Sequence, residues 1–533
     1  MDILGNLLNG LGHALSPVNL LLLGAGVLMG MVVGVMPGLG PSAGLAILLP
    51  LTFGMDPGGA IVMLAAVYYG AMYGGTITSV LINTPGESAT VASTFDGYPL
   101  AKQGRAGPAL VMAALASFVA GTVGTLLLSL AAPATAAVAA SFGPPELFLV
   151  VMAGLLALIV IVGRNMVLGA VSALLGFCLA TVGIDVGGGE QRYTFGSTEL
   201  INGIDFIPVA IGLFGVGEVL WTLYNGGHLE RLRYFDVRAR GGRFWPTAQD
   251  WVESRWSMVR GSILGFFVGC APGAGATVAS LMSYSVEKSV SKKPERFGKG
   301  AMPGLVGPEA ANNAATSGAM VPLLTLGLPG SSATAVLLAG FLMWGLQPGP
   351  LLMEQNPEFA WGLIASMYLG NAVLLALNVF CVPVFATIAR VPFHVLAPIV
   401  VVMCVLGTYA VNNSIVEVGI MLACGVLGFF MRRFGLVPAA TVIALVLGPL
   451  AEETLRQTLI ISGGGFGIFV QRPTSIALLC VLGLLLALPL AVRTARARRR
   501  PPKDPEPDSG QGAGEDGSGE HIVDRALESP PER

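Results

Sequence analysis

Apolar runs of about 20 residues, the length that crosses roughly 30 Å of hydrocarbon, recur along the chain from Val18 to Val492. They predict spans near 18–36, 60–82, 108–132, 145–163, 166–184, 203–225, 261–286, 311–345, 359–389, 393–411, 414–431, 435–451 and 474–492. This pattern predicts about ten to twelve transmembrane segments, the remaining runs being half-helices. Two hydrophilic segments interrupt it, a central loop over 226–260 and a tail after Arg493 that is rich in Pro, Gly, Asp and Glu. The expected organisation is therefore a first membrane half over 1–225, a basic loop over 226–260, a second membrane half over 261–492 and a disordered tail over 493–533.

Composition turns the pattern into a class. Of 533 residues 54% are hydrophobic and 11% are charged, against roughly 25% charged in soluble domains. The mean hydropathy is +0.74. Too little polar surface remains to cover a globule of this size, so lipid must cover it. A water-soluble enzyme is excluded, and the expected fold class is an all-α polytopic membrane protein.

Charge then orients the chain. RTARARRR (Arg493–Arg500) abuts the last span, and the central loop carries seven Arg against four Asp or Glu. Both read as cytoplasmic by the positive-inside rule, which puts the C-terminus in the cytoplasm. Lys288, Lys292, Lys293, Arg296 and Lys299 follow the 261–286 run, which Pro272 and Gly273 break at its centre. That run is expected to be a re-entrant hairpin with both ends on one side. The N-terminal stretch lacks the basic region and cleavage site of a secretory signal, so the first span is expected to be retained.

The net charge of −2 and the absence of a basic stripe point away from nucleic acid. Cys178, Cys270, Cys381, Cys404, Cys424 and Cys480 are scattered in apolar runs and read as small core residues. His13, His228, His394 and His521 show no ligand spacing, so no metal site and no cofactor is expected. Arg164 and Arg390 end apolar runs and read as snorkelling to the interface.

Two glycine-proline elements each occur twice, once per half. GVMPGLG (Gly34–Gly40) matches GCAPGAG (Gly269–Gly275) at an offset of 235, and TPGESAT (Thr84–Thr90) matches LPGSSAT (Leu328–Thr334) at an offset of 244. Pro removes a backbone donor and Gly admits conformations other residues avoid, so each element should break a helix. Broken backbone at membrane depth is tolerated only inside protein or along a wet cavity, and paired breaks in two halves mark a transporter's substrate site. The expectation is two pseudo-symmetric, inverted repeats carrying broken helices or re-entrant hairpins.

Each break leads into an apolar helical run that opens with hydroxyls: Ser42 after Pro41, Ser88 and Thr90 after Gly86, Thr277 after Gly275, and Ser331, Ser332 and Thr334 after Gly330. A helix N-terminus offers unpaired amides and a positive dipole end to an anion. Each such end contributes about 0.3–1 kcal/mol when exposed and up to about 2 when partly buried, so several must converge to hold a carboxylate. The expected substrate set is Pro37, Gly38, Gly40, Ser42, Asn83, Thr84, Gly86, Ser88, Thr90, Gly273, Gly275, Thr277, Gly330, Ser331, Ser332 and Thr334. Intramembrane carboxylates and amides are functional candidates. Glu87 and Asp96, with Asn312, Asn313 and Thr316 from PEAANNAATSGAMVP, form the expected ion-coupling set, the alternative for Asp96 being a place at the membrane interface. Glu309 and Ser317 share that polar stretch, whose alternative role is hydrogen bonding between helices. Asn412, Asn413 and Glu417 read as structural.

GVMPGLGPSAGLAILLP, YYGAMYGGTITSVLINTPGESATVASTFDGYPLAKQG, GCAPGAGATVAS and LGLPGSSATAVLLAG together resemble the TctA family, the large membrane subunit of the tripartite tricarboxylate transporters. The resemblance runs from about Pro17 to Val492. It implies a secondary transporter of bacterial inner membranes that works with a small four-span membrane subunit (TctB-like) and a periplasmic binding protein (TctC-like) that delivers the carboxylate. It further implies uptake driven by an ion gradient, with Na⁺ as the coupling ion. A trivalent anion entering against 100 mV costs roughly 7 kcal/mol, at about 2.3 per charge, so cations must accompany it. The alternatives are a passive organic-anion channel and an intramembrane hydrolase acting through Ser88 or Ser332. Neither serine has a G-x-S-x-G context, and no phosphate-binding loop occurs for ATP.

Overall fold

A computed structural model describes residues 3–36, 39–162, 166–185, 188–225, 244–272, 275–388 and 393–498. Almost everything described is helix. The first group is α1 (Ile3–Ala14), α2 (Pro17–Val35), α3 (Pro41–Leu48), α4 (Pro57–Ile82), α5 (Val91–Lys102) and α6 (Ala106–Ala139). Next come α7 (Pro144–Val162), α8 (Met166–Ala180), α9 (Phe206–Ala210) and α10 (Gly217–Tyr224), the last two joined by a wide helical turn over Ile211–Val216. The second set of broken helices is α11 (Ala248–Cys270), α12 (Gly275–Val290), α13 (Met302–Leu326) and α14 (Ser332–Met343). The chain closes with α15 (Leu352–Gln355), α16 (Pro357–Phe380), α17 (Val382–Ile388), α18 (Phe393–Asn412), α19 (Ile415–Arg433), α20 (Pro438–Ile461), α21 (Ile468–Gln471) and α22 (Pro473–Arg498). Among the described residues the one sheet is a two-residue ladder, Gly183–Ile184 against Gln191–Arg192.

Contacts divide the chain into a body of residues 1–487 and a unit of residues 488–533, which is described only as far as Arg498. The tail beyond it, with His521, lies outside the described residues, as do Arg164, residues 226–243 with His228, and Arg390.

Eight helices among the described residues are long and apolar enough to cross a membrane, and five shorter apolar helices accompany them. The protein is an all-α polytopic membrane protein. Two expected spans are divided at the repeated elements. The 311–345 run is the second part of α13 and all of α14, divided at Gly327–Ser331. The 261–286 run is divided between Cys270 and Gly275, and its first arm begins earlier, at Ala248, because Thr247 and Asp250 form a capping box there.

At the centre lie α4 and α13. Every residue from Gly59 to Ile82 and from Gly304 to Thr325 is buried. Helices sheltered from lipid on all sides can carry polar groups, provided that they find partners. Both are approached closely through glycine. A Cβ on Gly26, Gly30 or Gly34 of α2 would strike the carbonyl oxygens of Met63, Val67 and Ala71 in α4. A Cβ on Gly261, Gly265 or Gly269 of α11 would strike those of Gly307, Ala311 and Ala315 in α13. The glycines are offset by 235 (Gly26 to Gly261) and the carbonyls by 244 (Met63 to Gly307), the offsets of the two sequence elements. Within each pair the numbering rises together, so the helices run parallel, and the chain doubles back between them.

The breaks match as well. α4 ends on the left-handed Asn83 (φ 58°) and α13 on the left-handed Gly327 (φ 68°). A capping box follows each, Glu87 with Thr90 and Ser331 with Thr334. α4 and α13 oppose one another in direction. Thr76, late in α4, meets Glu309, early in α13, whereas Tyr68, earlier in α4, meets Ser331, beyond the end of α13.

Candidate functional site

All four breaks open onto one cavity of about 640 Å³, within the range of small-molecule sites. Its wall takes Gly40, Pro41 and Ser42 from the first break and Pro85, Gly86, Glu87 and Ser88 from the second. Gly275 and Thr277 come from the third, and Ser331 and Ser332 from the fourth. Helix starts therefore face the same space at α3, at the turn before α5, at α12 and at α14. A fifth comes from α20, through Val437, Pro438 and Ala439. Their free amides and dipole ends suit an anion.

Hydroxyls knit the wall. Ser88 Oγ and Thr277 Oγ1 lie 2.8 Å apart. Ser331 Oγ lies 3.2 Å from the Tyr68 hydroxyl and accepts from the Thr334 backbone amide at 3.2 Å. Thr90 and Thr334 stand behind the wall, each closing its capping box. Asn83 and Thr84 shape the bend, with the Thr84 amide donating to the Thr78 carbonyl at 3.4 Å. Gly86 is wedged so tightly that a Cβ would meet the Gly34 carbonyl oxygen and, at 2.5 Å, the Gly75 Cα. Gly330 approaches Ala319 in the corresponding way, at 3.1 Å. Pro37, Gly38 and Gly273 lie outside the described residues.

Behind Glu87 runs a buried polar chain. Asn312 Nδ2 donates to Glu87 Oε1 at 3.3 Å. Thr76 donates to Glu309 Oε2 at 2.7 Å, and Ser93 donates to Glu309 Oε1. Asn313 Nδ2 donates to Ser117 Oγ at 2.8 Å and to the Glu309 carbonyl at 3.0 Å, while Thr316 donates to the Asn313 carbonyl. The Oδ1 atoms of Asn312 and Asn313 are buried without a hydrogen-bond partner. No Lys or Arg pairs with Glu87 or Glu309 among the described residues.

Asp96 is placed elsewhere. It is fully buried, and its Oδ1 accepts from the backbone amides of Gly298, Gly300 and Ala301 at 2.8–2.9 Å, tying α5 to the loop before α13. Asn412 donates to Asp205 and Glu417 at the C-terminal end of α18, and none of the three is among the residues that line the cavity. Asn413 there takes a left-handed backbone.

Sequence reasoning missed three polar side chains of the wall: Tyr68, Glu218 and Arg432. Glu218 and Arg432 form an ion pair across it, from the first turn of α10 to the last turn of α19. Glu218 carried a usable signal, since it is a carboxylate inside the apolar 203–225 run. Arg432 carried none, because a basic residue ending an apolar run ordinarily anchors at the interface.

A helical membrane body enclosing a cavity built from paired helix breaks is the architecture of a membrane transporter component. The chain belongs to the tripartite tricarboxylate transporter TctA family, whose model matches residues 20–443. It is therefore a membrane component of that class of transport system. It is 42% identical over 499 residues, 94% of this chain and 98% of the relative, to an uncharacterized 52.8 kDa protein in the TAR-I ttuC' 3'region of Agrobacterium vitis. A second protein of that organism, in the TAR-II ttuC' 3'region, is 40% identical over 235 residues, 44% of this chain and 97% of the relative. No solved structure gives a significant match.

Proposed function

We propose that the chain is the large subunit of a Na⁺-coupled carboxylate importer of a bacterial inner membrane, with its C-terminus in the cytoplasm. A periplasmic binding protein would deliver the substrate, and a small four-span membrane subunit would complete the system. The carrying observation is the convergence of five helix starts and their hydroxyls on one cavity. In this reading the substrate carboxylates lie against Ser42, Ser88, Thr277, Ser331 and Ser332.

The cation belongs beside Glu87. That carboxylate lines the cavity and reaches Asn312, whose Oδ1 is an oxygen donor without a partner. Glu309 stands behind it with hydroxyl partners only. Two buried carboxylates without a cation are expensive, and Na⁺ held by carboxylate, amide and backbone oxygens relieves the cost. The matching helix registers and the opposed directions of α4 and α13 support two inverted halves, 1–225 and 261–492, meeting at the cavity.

Proteoliposomes holding the three-part system test the reading through labelled citrate and succinate. An inward Na⁺ gradient should drive accumulation above equilibrium, and Glu87→Gln should abolish the Na⁺ dependence. Flux that only equilibrates would replace this reading with a passive channel. The hydrolase alternative finds no Ser–His pair, since no His lines the cavity among the described residues.

A further inference from the structure

We propose that Arg432 clamps a carboxylate of the substrate and that Glu218 is a built-in surrogate, holding the guanidinium until the substrate takes its place. The proposal rests on the carrier reading above and names the residue that decides its affinity. Three charged side chains line the cavity: Glu87, Glu218 and Arg432. Arg432 is thus the one cationic group among the described lining residues. It faces a space that five helix starts already make favourable to anions.

The pair is built in rather than adventitious. Glu218 follows the wide turn over Ile211–Val216, a distortion that re-aims the side chains after it and recurs at functional sites. That turn is pressed against α19: a Cβ on Gly212 would strike the Met421 carbonyl oxygen, and one on Gly428 would come within 2.9 Å of the Leu213 carbonyl oxygen. Close glycine packing fixes the two elements, and with them the ion pair. The side chains of Arg432 and Glu218 are only 22% and 14% exposed.

The guanidinium is not saturated by this partner. Glu218 Oε2 meets Nη1, while Arg432 Nε is buried without a hydrogen-bond partner. A free carboxylate can take two parallel bonds from a guanidinium, a stronger geometry than one. Exchange is therefore open to the substrate, and the tethered Glu218 competes with it and weakens its apparent binding. Exchange also leaves Glu218 facing the cavity alone, a buried unpaired charge that a cation or a proton would answer. Anion binding would then raise cation affinity, and by linkage the reverse holds.

The test is labelled citrate and succinate binding to the purified three-part complex, together with uptake kinetics in proteoliposomes. Arg432→Gln should weaken binding at least tenfold and raise KM, with Arg432→Lys in between. Glu218→Gln should tighten binding several-fold and lower KM. The double variant E218Q/R432Q should stay well below wild-type binding, because the clamp is still missing even though the unpaired Glu218 charge is gone. If the pair were only a structural tie, both single variants would weaken uptake and the double variant would recover it, which would overturn the proposal. Normal citrate and succinate binding by Arg432→Gln would overturn it too while leaving the carrier reading intact. Absence of uptake by the wild-type complex would remove both.

Discussion

The hydroxyls of Ser88 and Thr277 lie 2.8 Å apart although 189 positions separate them in the chain. Ser88 opens the segment after the second break of the first half, and Thr277 opens α12 after the first break of the second. Their contact therefore joins two of the breaks, on the cavity wall and in reach of solvent. Ser88→Ala and Thr277→Val each remove a neutral donor from the cavity wall at a site that bears little packing, a donor that the proposed carboxylate would use. Stability should change by no more than about 0.5 kcal/mol, while KM for the transported carboxylate rises several-fold. Thermal melts alongside uptake kinetics check this, and a large stability loss with unchanged KM would make the contact purely structural.

Gly86 makes the opposite prediction. Any Cβ there meets backbone, from Gly34 and Gly75, and backbone cannot swing aside as a side chain does. Gly86→Ala should cost about 1–3 kcal/mol by overpacking and lower the melting temperature of the purified protein. Gly40→Ala, whose Cβ would meet nothing within 4 Å, should not. Equal melting of the two variants would contradict the close approach.

Acid should loosen the start of α11. Burial alone would raise the Asp250 carboxyl, but the Thr247 backbone amide, the Arg105 guanidinium and the Thr247 hydroxyl outweigh it and hold it below the ordinary aspartate value. A depressed carboxyl stabilises the fold above the unfolded value, about pH 4. That contribution is lost as pH falls through the folded value. Melting wild type and Asp250→Asn between pH 7 and pH 3 should show a stability gap that closes below about pH 4. A gap independent of pH would contradict it.

The breaks were legible because their cause is local. Pro272 or Gly86 bends its own backbone whatever surrounds it, so the repeated elements announced themselves in one dimension. The polar run Glu309–Ser317 was legible for a similar reason, since such residues cannot face lipid. What joined the breaks was not legible. Tyr68, Arg432 and the start of α20 reach the cavity only through packing between helices distant in sequence, and Arg432 looks like any interfacial anchor until α19 is seen against the wide turn before Glu218. Asp96 shows the converse. An intramembrane carboxylate in sequence, it is occupied by three backbone amides of a loop some 200 positions away.

The central claim is that the cavity where the breaks meet holds the carboxylate. Its most direct test is substrate protection of a cysteine placed there, Ser332→Cys, with the exposed Cys178 and Cys480 replaced by Ser. In the assembled complex the transported carboxylate should slow labelling of that thiol by a small charged methanethiosulfonate, in a Na⁺-dependent and saturable way. Labelling at the same rate with and without the transported carboxylate would place the substrate elsewhere and contradict the account.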